Sequence, residues 1–118
     1  MSEGAKLREM IGTAGVNEAV SRVSRHVTVQ NHAGLHARAS LEVLKEVKRF
    51  SSRVYLVRGR ERAAANNMLQ LLCLGAPEGT ELVVEAEGPD AADAVAAMVA
   101  LFDMKFYEDD MEGMRPPE

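Results

Sequence analysis

A nearly regular alternation of apolar and acidic residues between positions 80 and 88 constrains the fold of this chain more than any other feature. Leu82, Val84 and Ala86 alternate with glutamates, and Val83 is the single exception. Successive side chains of a β-strand point to opposite faces of its sheet, so the pattern predicts a strand with one apolar and one solvated face. The apolar face must be covered by other elements.

Further periodic segments supply the rest of the predicted fold. A first strand begins at His26, where Val27 and Val29 alternate with polar residues, and a hairpin spans 53–58 and 60–65 around a glycine turn. Amphipathic helices are predicted over residues 37–50, over residues 68–74 and after Pro89-Asp90. Because all the helices need the same apolar sheet face, we expect an α+β fold of order β-α-β-β-α-β-α. It is a two-layer open-faced sandwich, with three helices covering one face of a four-stranded antiparallel sheet.

The composition is that of one globular domain, since 47% of the 118 residues are hydrophobic. We expect a leader with weak helical turns over 1–24, a folded domain over 25–104, and an acidic tail outside the core over 105–118. No segment resembles a signal peptide or the roughly 20-residue apolar span of a bilayer, so the expected location is cytoplasmic, without membrane insertion. Cys73, the single cysteine, is expected to be a packing residue.

Charge is unevenly distributed along the chain. Residues 22–62 carry ten Lys/Arg and three Asp/Glu, whereas residues 63–118 carry two Lys/Arg and twelve Asp/Glu. This asymmetry is able to steer encounters with an acidic partner surface, and two differently charged solvated faces explain it equally well.

The candidate site is Gly-Leu-His-Ala-Arg at residues 34–38, between the first strand and the first helix. No Ser, Thr, Asp or Asn precedes this helix, so its first backbone N–H groups, including those of Ala37 and Arg38, have no evident side-chain acceptor. A phosphoryl group on a neutral His36 imidazole would lie within their reach, and the helix dipole and the Arg38 guanidinium both favour an anion there. Gly34 would let the loop take a conformation closed to other residues and would let a partner's backbone approach. Taken alone, the same residues are also compatible with a solvated helix boundary.

The sequence resembles the histidine-containing phosphocarrier protein (HPr) family of the phosphoenolpyruvate-dependent phosphotransferase system. The resemblance runs from about His26 to Phe102 and includes residues 34–38, the helix from Met68 closing on Leu74-Gly75, the strand end Ala86-Glu87-Gly88 and the order of elements. It implies a phosphoryl carrier that is not a stand-alone enzyme and that needs no cofactor and no metal.

The resemblance also implies roles for individual residues. His36 matches the histidine that accepts a phosphoryl group from enzyme I and passes it to an EIIA-type acceptor, and Arg38 matches the arginine beside it. The residues that match the partner-docking surface are Met68, Leu69 and Leu72 in an apolar patch, with Lys45 and Lys48 in a basic rim. Two alternatives stay open: a regulatory HPr-like binding module in which phosphorylation of His36 is a signal and not cargo, and a domain of this fold without phosphate chemistry.

Two positions depart from the family pattern. Ala39 stands where the family usually has proline, so the site should keep its geometry with less rigidity. Asn67 stands where many members have a regulatory serine that a kinase phosphorylates, and it has no hydroxyl, so this control is not expected.

Other kinds of site are less well supported by the sequence. His32 and His36 are four residues apart, but Gly34 argues against a helix there and no third ligand is near, so no metal site is expected. The basic turn at 58–62 lacks interleaved aromatic residues in a chain of net charge −4, so nucleic acid is not an expected partner. His26 is expected at the edge of the sheet.

Overall fold

The computed structural model describes residues 21–107, and this part of the chain contains one four-stranded antiparallel sheet. The strands are β1 (Ser21–Thr28), β2 (Arg53–Arg58), β3 (Glu61–Ala64) and β4 (Glu81–Gly88), and the helices are α1 (Ala37–Val47), α2 (Met68–Leu74) and α3 (Ala91–Asp103). The order across the sheet is β1-β4-β2-β3. The predicted α+β open-faced sandwich is therefore confirmed.

The apolar face of β4 lies at the centre of the core, as its alternation predicts. Leu82, Val84 and Ala86 are almost completely buried, whereas Glu85 and Glu87 are partly exposed. The helices cover this face with a set of buried side chains: Val43, Val47, Leu71, Leu74, Val95, Met98, Leu101 and Phe102. The opposite face carries ion pairs between β4 glutamates and arginines of β1 and β3, which contribute little to stability because they are exposed.

The first strand is longer than the sequence predicts. β1 begins at Ser21 and not at His26, so residues 21–24 belong to the sheet and not to the expected leader. The reason is pairing: Ser21 lies opposite Gly88 and Thr28 lies opposite Glu81, so β1 extends along the whole of β4. Local hydropathy carries no information about a partner strand 60 positions later. Residues 1–20, the rest of the predicted leader, lie outside the described residues.

The start of the predicted tail also belongs to the folded domain, contrary to expectation. Phe106 is fully buried and packs edge-on against Phe102, with ring centroids 4.8 Å apart and planes at 64°. Lys105, Phe106 and Tyr107 all have positive φ angles, which form a tight turn that directs the Phe106 ring back onto α3. Burial of an aromatic ring offsets the strain of this backbone. Residues 108–118 lie outside the described residues.

Cys73 is exposed, so the prediction that it packs in the core is wrong. The buried face of α2 is formed by Leu71 and Leu74, and Cys73, two positions after Leu71 and one before Leu74, points to a different side of the helix. Among residues 21–107 no helix is both long and apolar enough to cross a membrane.

Candidate functional site

The loop between β1 and α1 carries the candidate site and is held by several hydrogen bonds. Asn31 and Gly34 are joined twice: the Gly34 N–H donates to the Asn31 carbonyl at 3.1 Å, and the Asn31 side-chain Nδ2 donates to the Gly34 carbonyl at 2.6 Å. Beside them, the Leu35 N–H donates to the Ala76 carbonyl at 2.8 Å. The loop therefore enters α1 along a defined path.

Gly34 is required by contacts within the chain. Its φ angle is +77°, and a Cβ there would lie 2.6 Å from the Ala76 carbonyl oxygen and 2.9 Å from the Cα of Pro77. A side chain would thus meet both an unfavourable backbone conformation and a rigid backbone neighbour. The loop conformation closed to other residues that the sequence suggested for Gly34 is thus present, and the approach of a partner's backbone stays a prediction.

His36 is the N-cap residue of α1, and its own side chain caps the helix. Its Nδ1 atom accepts a hydrogen bond from the backbone N–H of Arg38 at 3.2 Å. The expectation that no side chain would accept from these N–H groups is therefore wrong. The usual preference for Ser, Thr, Asp or Asn at this position does not include histidine, whose Nδ1 is an acceptor when it carries no proton. The Nδ1 lone pair consequently points at the beginning of the helix.

The beginning of α1 is electropositive. Its first intrahelical hydrogen bond runs from the Ser40 N–H to the His36 carbonyl, so the N–H groups of Ala37, Arg38 and Ala39 precede the hydrogen-bonded ladder. The first turn contains no acidic residue, and the Arg38 side chain is exposed next to the half-buried His36. Ala39, at the position where proline would be usual, is fully buried. These features favour an anion beside Nδ1.

The apolar residues predicted for docking are largely on the surface. Leu69 is 70% exposed and Leu72 is 41% exposed, whereas Met68 is half-buried. Leu41 of α1 is 44% exposed and was not among the residues predicted for this surface. Since α1 and α2 are in contact, we call Leu41, Met68, Leu69 and Leu72 the apolar patch.

α2 begins as the sequence predicts. The Asn67 side chain accepts a hydrogen bond from the Gln70 N–H at 3.0 Å, which makes Asn67 the N-cap of this helix. At this position the side chain caps the helix, and the amide oxygen of asparagine is a good acceptor for this purpose.

The two lysines of the predicted basic rim lie away from His36. Lys45 is exposed with its Nζ 3.4 Å from Glu42, and Lys48 is the C-cap of α1. With a rise of about 1.5 Å per residue, Lys48 is roughly 18 Å along the helix axis from His36. The structure therefore brings His36 and Arg38 together at one end of α1 and leaves Lys48 at the other.

The two histidines considered for a metal site have separate surroundings. His32 is exposed, and its Nδ1 lies 3.5 Å from a carboxylate oxygen of Glu78, whereas His36 caps α1. Within residues 21–107 no group of three or more His, Cys, Asp or Glu side chains could hold a metal ion.

Comparison with known proteins gives a consistent family. A family model described as "PTS HPr component phosphorylation site" matches residues 23–104. The phosphocarrier protein HPr of Treponema pallidum is 37% identical over 87 residues, which cover 74% of this chain and 99% of that protein. The phosphocarrier protein NPr of Escherichia coli K12 is 37% identical over 89 residues, covering 74% of this chain and 98% of that protein. The crystal structure of HPr-C-His from Thermoanaerobacter tengcongensis matches with a TM-score of 0.69 at 27% identity, over 71% of this chain and 94% of that chain.

Proposed function

Because this chain belongs to the HPr family of phosphotransferase-system phosphocarriers, we propose that it accepts a phosphoryl group on His36 from enzyme I and passes it to an EIIA-type protein. The observation that carries the proposal is the hydrogen bond from the Arg38 N–H to His36 Nδ1. It leaves the ring's unprotonated nitrogen facing the electropositive end of α1.

Nδ1 is the nitrogen that we assign to the phosphoryl group. Its lone pair would attack the phosphorus of a phosphohistidine on enzyme I, forming one P–N bond while the P–N bond in enzyme I breaks and returns its electron pair to that imidazole. The proton on Nε2 of His36 stays on the ring. Transfer to a histidine of the acceptor is the same exchange in reverse. The chain is therefore a carrier that takes up and gives up one phosphoryl group per cycle, and it is not a stand-alone enzyme.

The beginning of α1 suits the transition state of this exchange. Negative charge spreads over three phosphoryl oxygens, and fixed donors next to them lower the barrier because they need no reorganisation. When Nδ1 forms the P–N bond, the Arg38 N–H loses its present acceptor and becomes available to a phosphoryl oxygen. The exposed Arg38 guanidinium is able to bind a second oxygen.

We assign the docking of both partners to the apolar patch. Exposed leucines on two helices that contact each other are the kind of side chain that a protein partner buries. We propose that Lys45 contributes to the margin of this surface, whereas Lys48, at the far end of α1, would contact a partner only over a wide interface. The cytoplasmic location inferred from the sequence stays a prediction.

Phosphorylation by enzyme I tests the proposal. The chain is incubated with radiolabelled phosphoenolpyruvate and the purified enzyme I encoded in the same genome, with His36→Ala as the matched variant. We expect one acid-labile phosphoryl group per chain, lost in His36→Ala. An acid-stable label, or a label that His36→Ala retains, would contradict the proposal.

Onward transfer separates the carrier from the regulatory module. The labelled chain is purified away from enzyme I and phosphoenolpyruvate and is then mixed with an EIIA-type protein from the same genome, so that only a single transfer of the label is observed. A carrier loses its label to that protein, whereas a module in which phosphorylation of His36 is a signal keeps it.

A further inference from the structure

The proposed function gives Asn31 no role, yet it is one of the few fully buried polar residues between 21 and 107. Its side-chain Nδ2 donates to the Gly34 carbonyl at 2.6 Å, and its own carbonyl accepts from the Gly34 N–H. Burying an amide is costly unless it is hydrogen-bonded, so these bonds stabilise one particular conformation of the loop.

The Gly34 carbonyl connects Asn31 to His36. This oxygen accepts from two donors at once: the Asn31 Nδ2 and, at 2.9 Å, the backbone N–H of His36. The direction of the carbonyl therefore depends on the Asn31 amide, and the orientation of the His36 backbone depends on the carbonyl. That orientation in turn determines whether Nδ1 faces the Arg38 N–H.

We infer that Asn31 is a positioning residue for phosphoryl transfer, acting through the Gly34 carbonyl on the direction of the His36 ring. The inference rests on the proposed function. Asn31 touches neither the phosphoryl group nor a partner, because it is buried beneath the loop. Its loss should consequently slow the transfer step without weakening the encounter with enzyme I.

The test compares Asn31→Asp with wild type in phosphorylation by enzyme I, measured as a function of chain concentration. Aspartate has the shape of asparagine but replaces the Nδ2 donor by an oxygen, which repels the Gly34 carbonyl. We expect kcat to fall by about tenfold or more while KM is unchanged, since misplaced reacting groups lose rate steeply. Asn31→Ala should behave in the same way.

Ser52→Ala is the control for a general loss of stability. Ser52 is also a buried polar residue, but it bonds to Asp90 and not to the loop. The Ser52→Ala substitution should lower the free energy of unfolding and leave the kcat of phosphorylation by enzyme I at the wild-type value. The ¹⁵N chemical shifts of the His36 ring should move in Asn31→Asp and stay unchanged in Ser52→Ala.

Wild-type kcat in Asn31→Asp would overturn the inference, as would losses of kcat that follow stability equally in the Asn31 and Ser52 variants. If Asn31 variants do not fold, scalar coupling across the hydrogen bond between Asn31 Nδ2 and the Gly34 carbonyl carbon is measured in the wild-type chain, free and phosphorylated. Its presence in both forms supports the inference, and its absence overturns it. Failure of the proposed function is distinguishable, because the wild type itself would then remain unlabelled.

Discussion

The Nδ1 atom of His36 lies 3.2 Å from the backbone nitrogen of Arg38 and accepts its N–H, so one imidazole serves both as a helix cap and as the candidate phosphoryl acceptor. The two roles are separable by substitution. A cap needs an acceptor of suitable reach, whereas phosphoryl transfer needs a nucleophilic nitrogen.

His36→Ala should lose about 1 kcal/mol of unfolding free energy, because the cap is removed, and His36→Asn should regain most of it. Neither variant should be labelled by enzyme I. Urea unfolding at pH 7 measures the first effect and the labelling assay measures the second. Equal stability of His36→Ala and wild type would show that the ring does not cap the helix.

Arg38→Ala should slow labelling by about 10- to 100-fold, the equivalent of a charge-assisted hydrogen bond of roughly 1.5–3 kcal/mol. Because the Arg38 side chain is exposed, the unfolding free energy should change by less than about 0.5 kcal/mol. Arg60→Ala, an exposed arginine at the hairpin tip, is the matched control and should react like wild type. An equal loss in both variants would indicate a general charge effect.

The sequence predicted the fold well where a single element carries its own signal. The alternation around Val84 and the glycine after Leu74 are local patterns, and the corresponding strand and helix end where expected. The start of β1 depends on pairing with Gly88, far away in the chain, and the burial of Phe106 depends on a turn of positive φ angles that places its ring on Phe102. Local periodicity contains neither contact.

The candidate site shows the same division. The sequence placed His36 and Arg38 at the beginning of a helix, and the structure has them there. The cap made by the imidazole and the support given by Asn31 both depend on side-chain torsions and on loop geometry. Residue type at a given spacing does not specify these.

Leu69→Ser should raise the KM for the chain in labelling by enzyme I about fivefold or more, since a docking side chain typically contributes over 1 kcal/mol. Its stability should be nearly unchanged because Leu69 is 70% exposed. The control is Leu71→Ala on the buried face of the same helix, which should lose about 2–5 kcal/mol of stability while its folded fraction keeps the wild-type KM. An unchanged KM in Leu69→Ser would show that Leu69 does not contribute to docking with enzyme I.

Gly34→Ala should be destabilised by more than Gly59→Ala, and the comparison isolates the close approach of the loop to Ala76. Both glycines have positive φ angles, but a Cβ at Gly59 meets no atom within 4 Å, whereas at Gly34 it meets the Ala76 carbonyl at 2.6 Å. We expect about 1 kcal/mol for the conformational cost in Gly59→Ala and a larger loss, with slower labelling, in Gly34→Ala. Equal losses would mean that the loop moves away without cost.

Asp90→Asn should make the chain less sensitive to acid. The Ser52 hydroxyl and the backbone N–H groups of Ser51 and Ser52 donate to the Asp90 carboxylate, and these bonds, the Ser52 hydroxyl first, hold its pKa below the ordinary value of 3.8. A depressed pKa in the folded state means that the stabilisation is complete above pH 3.8 and is lost as the pH falls through the lower, folded-state pKa.

The difference in unfolding free energy between wild type and Asp90→Asn should therefore be constant from pH 7 to about pH 5 and should shrink below about pH 4. Urea unfolding of both proteins across this pH range measures this difference. The contributions of the other carboxylates to the pH dependence are the same in both proteins and cancel. A difference that stays constant down to about pH 2 would show that the ionised form of Asp90 contributes nothing to the fold.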